Sequence, residues 1–247
     1  MNYIRSMNIA KNIERIIKKF SNGNTFTYRD LAIKKEEYPA ASKTIERLIK
    51  KGLIKRISTG VFYKPKQTVF GEIKPDEEKI VTPYLFKDGK RIAYITGLLL
   101  YNKMGLTTQI SKEISIASRE KRIYISKGNI KASAVKSYVE VTDKNYKLLE
   151  LLDALKDLKK IPDLSEKSAI TILTNEILEL NNKQVKELIK IALSYPPRVR
   201  AFLGALLENI DENINTTSLE DSLNPLSEYK LGVSKEILST VEKWNIK

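Results

Sequence analysis

The sequence predicts an α+β protein with a small, basic amino-terminal domain and a larger mixed domain that ends in helices. Three observations predict it. A basic amphipathic helical pattern gives way, over residues 52–65, to a glycine and a strand–turn–strand pattern. Between residues 91 and 142, short β-branched runs alternate with turn chemistry. From about residue 143, leucines recur at helical spacing.

Along residues 7–20, Ile9, Ile13, Ile16, Ile17 and Phe20 recur at three- and four-residue steps, one apolar stripe of a helix. Lys11, Arg15, Lys18 and Lys19 lie away from it, and Ser21–Asn22–Gly23–Asn24 stops it. A shorter second helix is expected over residues 27–33, with Thr27 as N-cap and Asp30 as its partner three residues on. A third is expected to begin near Pro39, because proline suits a first helical turn. Ala41, Ile45, Leu48 and Ile49 make its buried stripe, so Ser42, Lys43, Glu46, Arg47 and Lys50 face outward. Gly52 ends it. Strands are expected at residues 54–57 and 61–64, with Ser58–Thr59–Gly60 as the turn between them.

Three helices followed by a basic hairpin is the pattern of a winged helix-turn-helix, whose last helix reads the major groove of duplex DNA. The charge is concentrated there. Residues 1–70 hold sixteen Lys+Arg and five Asp+Glu, whereas the remaining 177 residues hold 28 and 25. Ser42, Lys43 and Thr44 are the candidates for base edges, with Thr44 bordering the buried stripe. Arg47 could pair with a guanine edge or clamp a phosphate. Lys50, Lys51, Lys55 and Arg56 have the character of phosphate neutralisers. Arg29, Ser58, Thr59 and Lys64 complete the candidate surface. Lysines on a helix are more often a solvated face, so the hairpin and the charge asymmetry carry this reading.

The second domain is expected from residue 71 to 247, after a connector at residues 71–76. A strand is expected at residues 91–96, then a short helix at 96–104 closed by Gly105. Strands follow at 113–118, 122–127 and 138–142, with Gly128–Asn129 as a turn between the last two. Helices are expected at 143–161, 168–180, 183–194, 198–210 and 234–244, with 218–230 irregular. Asp153 and Asp157, surrounded by Lys156, Lys159 and Lys160, read as a solvated face rather than a metal site. Arg198 and Arg200, beside Pro196–Pro197, are candidates for a partner or phosphate contact, set against an ordinary basic turn. Tyr84, Tyr94, Tyr101 and Tyr124 read as packing.

Composition narrows the chemistry. The chain has neither cysteine nor histidine, which removes thiol nucleophiles, zinc fingers, Ser-His-Asp triads and His-ligated metals. No phosphate-cradling glycine loop or paired acidic motif at metal spacing is present, and no cofactor is expected. No apolar run approaches the ~20 residues of a membrane span, so a cytoplasmic protein without catalysis of its own is expected.

Beyond these readings, the chain resembles the AbiEi-like antitoxins of abortive-infection toxin–antitoxin systems. The resemblance lies in Ile45–Glu46–Arg47–Leu48–Ile49–Lys50–Lys51–Gly52 followed by Ile57–Ser58–Thr59–Gly60–Val61–Phe62–Tyr63. It continues in Tyr94–Ile95–Thr96–Gly97, Tyr101 and Met104–Gly105–Leu106–Thr107–Thr108–Gln109, and spans about residues 8 to 125. Met104 stands where that family often has histidine. The resemblance implies a repressor of its own operon that binds operator DNA through residues 1–70. It also implies neutralisation of a cognate nucleotidyltransferase-type toxin by residues 71–247, with direct contact and a homodimer on DNA left open. The alternatives are a winged-helix regulator with a ligand-sensing or dimerisation domain, or a DNA-processing enzyme.

Overall fold

Helix α1 (Asn2–Lys19) buries Ile13 and Ile17, the centre of the stripe expected of it. It belongs to a computed structural model that describes residues 2–247 apart from 59, 70, 74–76 and 128–129, with side chains except those of 2–7, 58, 67, 73, 77 and 127. The fold is α+β, in two compact units, Met1–Phe86 and Lys87–Lys247.

In the first unit, β1 (Thr25–Thr27) and a 310 turn, Arg29–Leu31, stand where the second helix was expected. Phe26 is the reason. It pairs with Phe62 across the sheet and is fully buried, which commits residues 25–27 to extended backbone. The Thr27–Asp30 pairing survives: the Asp30 carboxylate accepts from the Thr27 amide at 2.6 Å and the Thr27 hydroxyl at 2.8 Å. It caps a single turn rather than a helix.

Helix α2 (Tyr38–Lys50) carries Pro39 in its first turn and buries Ala41, Thr44, Ile45 and Leu48. Gly52, at φ +70°, closes it with the Gly52 amide on the Ile49 carbonyl at 2.9 Å and the Leu53 amide on Leu48 at 3.1 Å. That double bond pattern satisfies the last carbonyls and needs a left-handed residue, which glycine supplies without strain. Strands β2 (Lys55–Ser58) and β3 (Val61–Tyr63) follow, and the sheet runs β1–β3–β2, antiparallel throughout. One core joins α1, α2 and this sheet through Ile13, Ile17, Phe26, Leu31, Ala41, Ile45, Leu48, Ile54 and Phe62.

The unit continues past the boundary expected at residue 70. Strands β4 (Lys66–Thr68) and β5 (Gly71–Ile73) form a hairpin where a connector was expected. Helix α3 (Glu77–Val81) then leads into a 310 turn, Thr82–Leu85. The Thr25 hydroxyl donates to the Lys79 carbonyl at 2.6 Å, which ties this extension back to β1.

At the junction lie β6 (Phe86–Lys87) and β7 (Lys90–Arg91), a two-stranded sheet. The second unit is built on β8 (Ala93–Thr96), α4 (Leu98–Lys103), β9 (Ile114–Ser118), β10 (Ile125–Lys127) and β11 (Ile130–Lys136). Its sheet order is β10–β11–β9–β8, with β11 parallel to β9 and the other pairs antiparallel. The strand expected at 138–142 is absent; β11 occupies 130–136 instead, and the turn expected at Gly128–Asn129 lies outside the described residues.

Helices α5 (Tyr146–Asp157), α6 (Glu166–Leu178), α7 (Asn182–Ala192), α8 (Pro197–Ile210) and α9 (Thr217–Glu220) complete the unit. Helix α5 packs on β8 and α8, and Leu149, Leu152, Phe202, Leu203 and Leu206 are fully buried in the shared core. The helix expected at 234–244 is a series of turns. It is held by a parallel bridge between Tyr229 and Ile246 and by Trp244, whose indole lies on Gly204 of α8 and donates to Glu208 at 3.0 Å.

Candidate nucleic-acid interface

The outward face of α2 presents Lys43, Arg47 and Lys50 as exposed side chains, with Ser42 half-buried beside them and Lys51 exposed at the helix end. Among the described residues, the side chains of Lys43, Lys50 and Lys51 make no ion pair or hydrogen bond. Lys50 and Lys51 sit where the helix dipole favours cations, a contribution to helix stability that leaves their ammonium groups available. Arg56, exposed on β2, stacks its guanidinium 5.6 Å from the Phe62 ring centre, which holds it against the β1–β3–β2 sheet. These four cations lie on consecutive elements, α2 and β2, joined only by the Gly52 turn.

Other expected contacts are already engaged. Arg47 pairs with Glu14 of α1 at 2.8 Å while staying half exposed. Lys55 pairs with Glu72 of β5 at 2.6 Å. Arg29 is exposed on the 310 turn, removed in sequence from α2 and the β2–β3 hairpin. Ser58 belongs to β2, but its side chain lies outside the described residues, as does all of Thr59.

Two candidates are corrected. Thr44 is 6 % exposed and its hydroxyl donates to the Ala40 carbonyl at 2.9 Å, so it belongs to the buried face of α2. An i−4 backbone acceptor is the usual partner of a threonine inside a helix. The Lys64 ammonium donates to the carbonyls of Phe20 at 2.9 Å and Lys18 at 3.2 Å. It caps the carboxyl end of α1 instead of facing a ligand.

The second unit treats its charges differently. Asp153, expected on a solvated face, is 1 % exposed. Its carboxylate accepts from the hydroxyls of Thr96 at 2.7 Å, Tyr94 at 2.9 Å and Tyr195 at 3.3 Å, and from the Lys156 ammonium at 2.8 Å. Asp157 accepts from the Tyr101 hydroxyl at 2.8 Å and pairs with Lys160 at 3.2 Å. Burial alone would lower the Lys156 pKa, but the carboxylates of Asp153 and Asp157 hold it above the ordinary lysine value. Burial likewise opposes ionisation of Asp157, yet Lys156, Tyr101 and Lys160 together lower its pKa. Burial, then the neighbouring carboxylate, pushes the Tyr94, Tyr101 and Tyr195 phenols far up. The network fixes α5 on β8; around Asp153 it is fully hydrogen-bonded, while Oδ1 of Asp157 has only its ion pair to Lys160. Of the tyrosines expected to pack, Tyr94 and Tyr101 are buried, whereas Tyr124 is exposed.

Arg198 and Arg200 are stitches as well. Arg198 donates to the Lys156 carbonyl at 3.2 Å and Arg200 to the Ser222 carbonyl at 3.0 Å. Arg198 keeps an exposed side chain; Arg200 is half-buried and its Nε is enclosed without a partner. The two tie α8 to different segments and form no joint anion cradle. Among the described residues, no group of three or more acidic side chains is placed to hold a metal ion, and no helix is long and apolar enough to cross a membrane.

A family model described as a family of unknown function, DUF6088, matches residues 12–179. None of the curated proteins matches the chain. A crystal structure of the RV2827C protein from Mycobacterium tuberculosis is similar, with a TM-score of 0.54 at 12 % identity over 90 % of this chain and 83 % of that one. At that identity the likeness concerns the fold alone.

Proposed function

The chain belongs to the DUF6088 family, whose function is unknown, and we propose that its first unit is a winged helix-turn-helix that binds duplex DNA. The observation that carries the proposal is the cluster of unpaired cations Lys43, Lys50 and Lys51 on α2, continued by Arg56 on the adjoining wing strand. Helix α2 would lie in the major groove, with Ser42 and Lys43 near base edges and Arg47 one turn on. Lys50, Lys51 and Arg56 would neutralise phosphates and position the helix.

The reading extends, on the resemblance to AbiEi-like antitoxins, to repression of the chain's own operon. It extends also to neutralisation of a nucleotidyltransferase-type toxin, a role that falls to the second unit. That unit contributes no surface that nominates the neutralising residues.

The experiment is a titration of the full chain against duplex from upstream of its own gene and against a scrambled duplex, at several salt concentrations. A steep salt slope with preference for the native duplex is the expected result. Absence of binding to either would remove the DNA reading and, with it, autoregulation. Co-expression with the neighbouring gene tests the second half: rescue of growth from that gene's product is expected, and continued arrest contradicts the antitoxin role.

A further inference from the structure

The segment that follows the wing is acidic: residues 71–86 hold Glu72, Asp76, Glu77 and Glu78 against Lys74 and Lys79. One of these acids sits on the wing itself. Lys55 of β2 and Tyr63 of β3 are direct cross-strand partners. The Glu72 carboxylate spans that rung, receiving the Lys55 ammonium on Oε2 at 2.6 Å and the Tyr63 hydroxyl on Oε1 at 2.6 Å. Glu72 is presented by the β4–β5 hairpin, opposite Gln67, and its side chain is only 19 % exposed.

An ammonium and a hydroxyl donor, side by side on one rung of a wing, can hold two oxygens of a carboxylate or two oxygens of a phosphodiester alike. While Glu72 is in place, Lys55 offers a phosphate no net charge, and the carboxylate repels an approaching strand. Lys55 itself is half exposed, so the pair is open to competition from solvent and ions.

Resting on the DNA-binding reading above, we infer that Glu72 is an internal competitor for nucleic-acid phosphate at the Lys55–Tyr63 rung. The carboxylate keeps the phosphate position in free and DNA-bound wild type alike, holding Lys55 out of the phosphate footprint and lowering affinity. Glu72→Gln retains an acceptor for Tyr63 and removes the charge that competes.

The test uses the full chain, a labelled random-sequence duplex and a salt series, with the variants E72Q, E72D, K55A and E72Q/K55A. E72Q should bind severalfold more tightly, with a log–log salt slope steeper by about 0.9, the contribution of one additional neutralised phosphate. E72D should behave as wild type. K55A alone should leave the slope unchanged, because Lys55 is already neutralised; in the E72Q background it should cancel the gain. K55A also decides the matter if E72Q folds poorly. A slope that falls by about 0.9 on K55A in the wild-type background means that Lys55 contacts phosphate unopposed, and the inference is wrong. Unchanged or weakened binding by E72Q in a folded protein overturns it equally. If neither wild type nor E72Q binds duplex at any salt concentration, the DNA-binding reading itself fails. Binding by E72Q alone supports both.

Discussion

Helices α2 and α5 have much the same written character, leucines and isoleucines interleaved with lysines and acids, and the fold uses their charges in opposite ways. On α2 the lysines point outward and three cations near it have no partner among the described residues. On α5 Lys147 stays exposed, but Asp153 turns inward, enclosed by three hydroxyls and an ammonium. The difference teaches that a lysine's availability is set by what lies across from it, not by its helix. The α2 cations stand out because a hairpin carrying a further cation, Arg56, follows them directly.

The largest effect that sharpens the contrast is expected at Asp153. Asp153→Ala leaves Lys156 and the Tyr94 hydroxyl buried without their main acceptor, at a cost of about 3–5 kcal/mol. Urea unfolding should show that loss, while duplex binding measured below the midpoint stays as in wild type. Failure of the folded variant to bind DNA would break the separation between the two sets of charges. Next in size is Gly204→Ala, because a Cβ there would come within 2.2 Å of the Trp244 ring. Forcing the buried indole aside costs about 1–3 kcal/mol. A thermal midpoint equal to wild type would mean that the carboxyl-terminal turns do not depend on that packing.

A pH series distinguishes the closed network from the open surface. The lowered Asp157 pKa gives stability present above the ordinary carboxylate value of 3.8 and lost as pH falls through its folded value. The raised Lys156 pKa gives stability present below 10.5 and lost as pH climbs. In the first unit, burial and then Glu72 push the Tyr63 phenol from 10.0 up to about 12, so its share is lost across that interval. Urea midpoints should therefore fall at both extremes, and a flat profile above pH 10 would contradict these assignments. The smallest effect is expected at Thr44. Thr44→Val removes one hydrogen bond and should shift stability by about 1 kcal/mol or less, with duplex affinity unchanged. A clear loss of affinity would restore Thr44 to the interface.

Much of the first unit was legible because its signals are local. The Ile13–Ile17 stripe, Pro39 at the start of α2, Gly52 at its end and the strand–turn–strand that follows need no distant partner to be read. The helix expected over residues 27–33 does not form, because Phe26 beside it takes its conformation from Phe62, far along the chain. Strand β11 escaped because Ala132, Ser133 and Ala134 give a weak alternation, and its parallel partner β9 supplies the order. Asp153 was misread for a similar reason. Its partners Tyr94, Thr96 and Tyr195 lie 42 to 59 residues away. One local signal pointed inward: Asp153 is one turn on from Leu149, within the leucine stripe rather than opposite it. The candidate interface is legible in the sequence as a face and a sign of charge, but not the ion pair that engages Lys55 or the carbonyls that hold Lys64, since these acceptors lie on other elements.

The central claim is that the α2 lysines, and not basic helices in general, hold nucleic acid. Helix α7 provides the control, with Lys183, Lys186 and Lys190 exposed at three- and four-residue steps. The decisive measurement compares salt slopes for duplex binding by wild type, the triple variant K43A/K50A/K51A and the triple variant K183A/K186A/K190A. The slope should drop by about 1.8 for the α2 triple, roughly 0.9 for each phosphate that Lys50 and Lys51 no longer neutralise, and stay at the wild-type value for the α7 triple. Equal drops in both, or none in the α2 triple, would contradict the account.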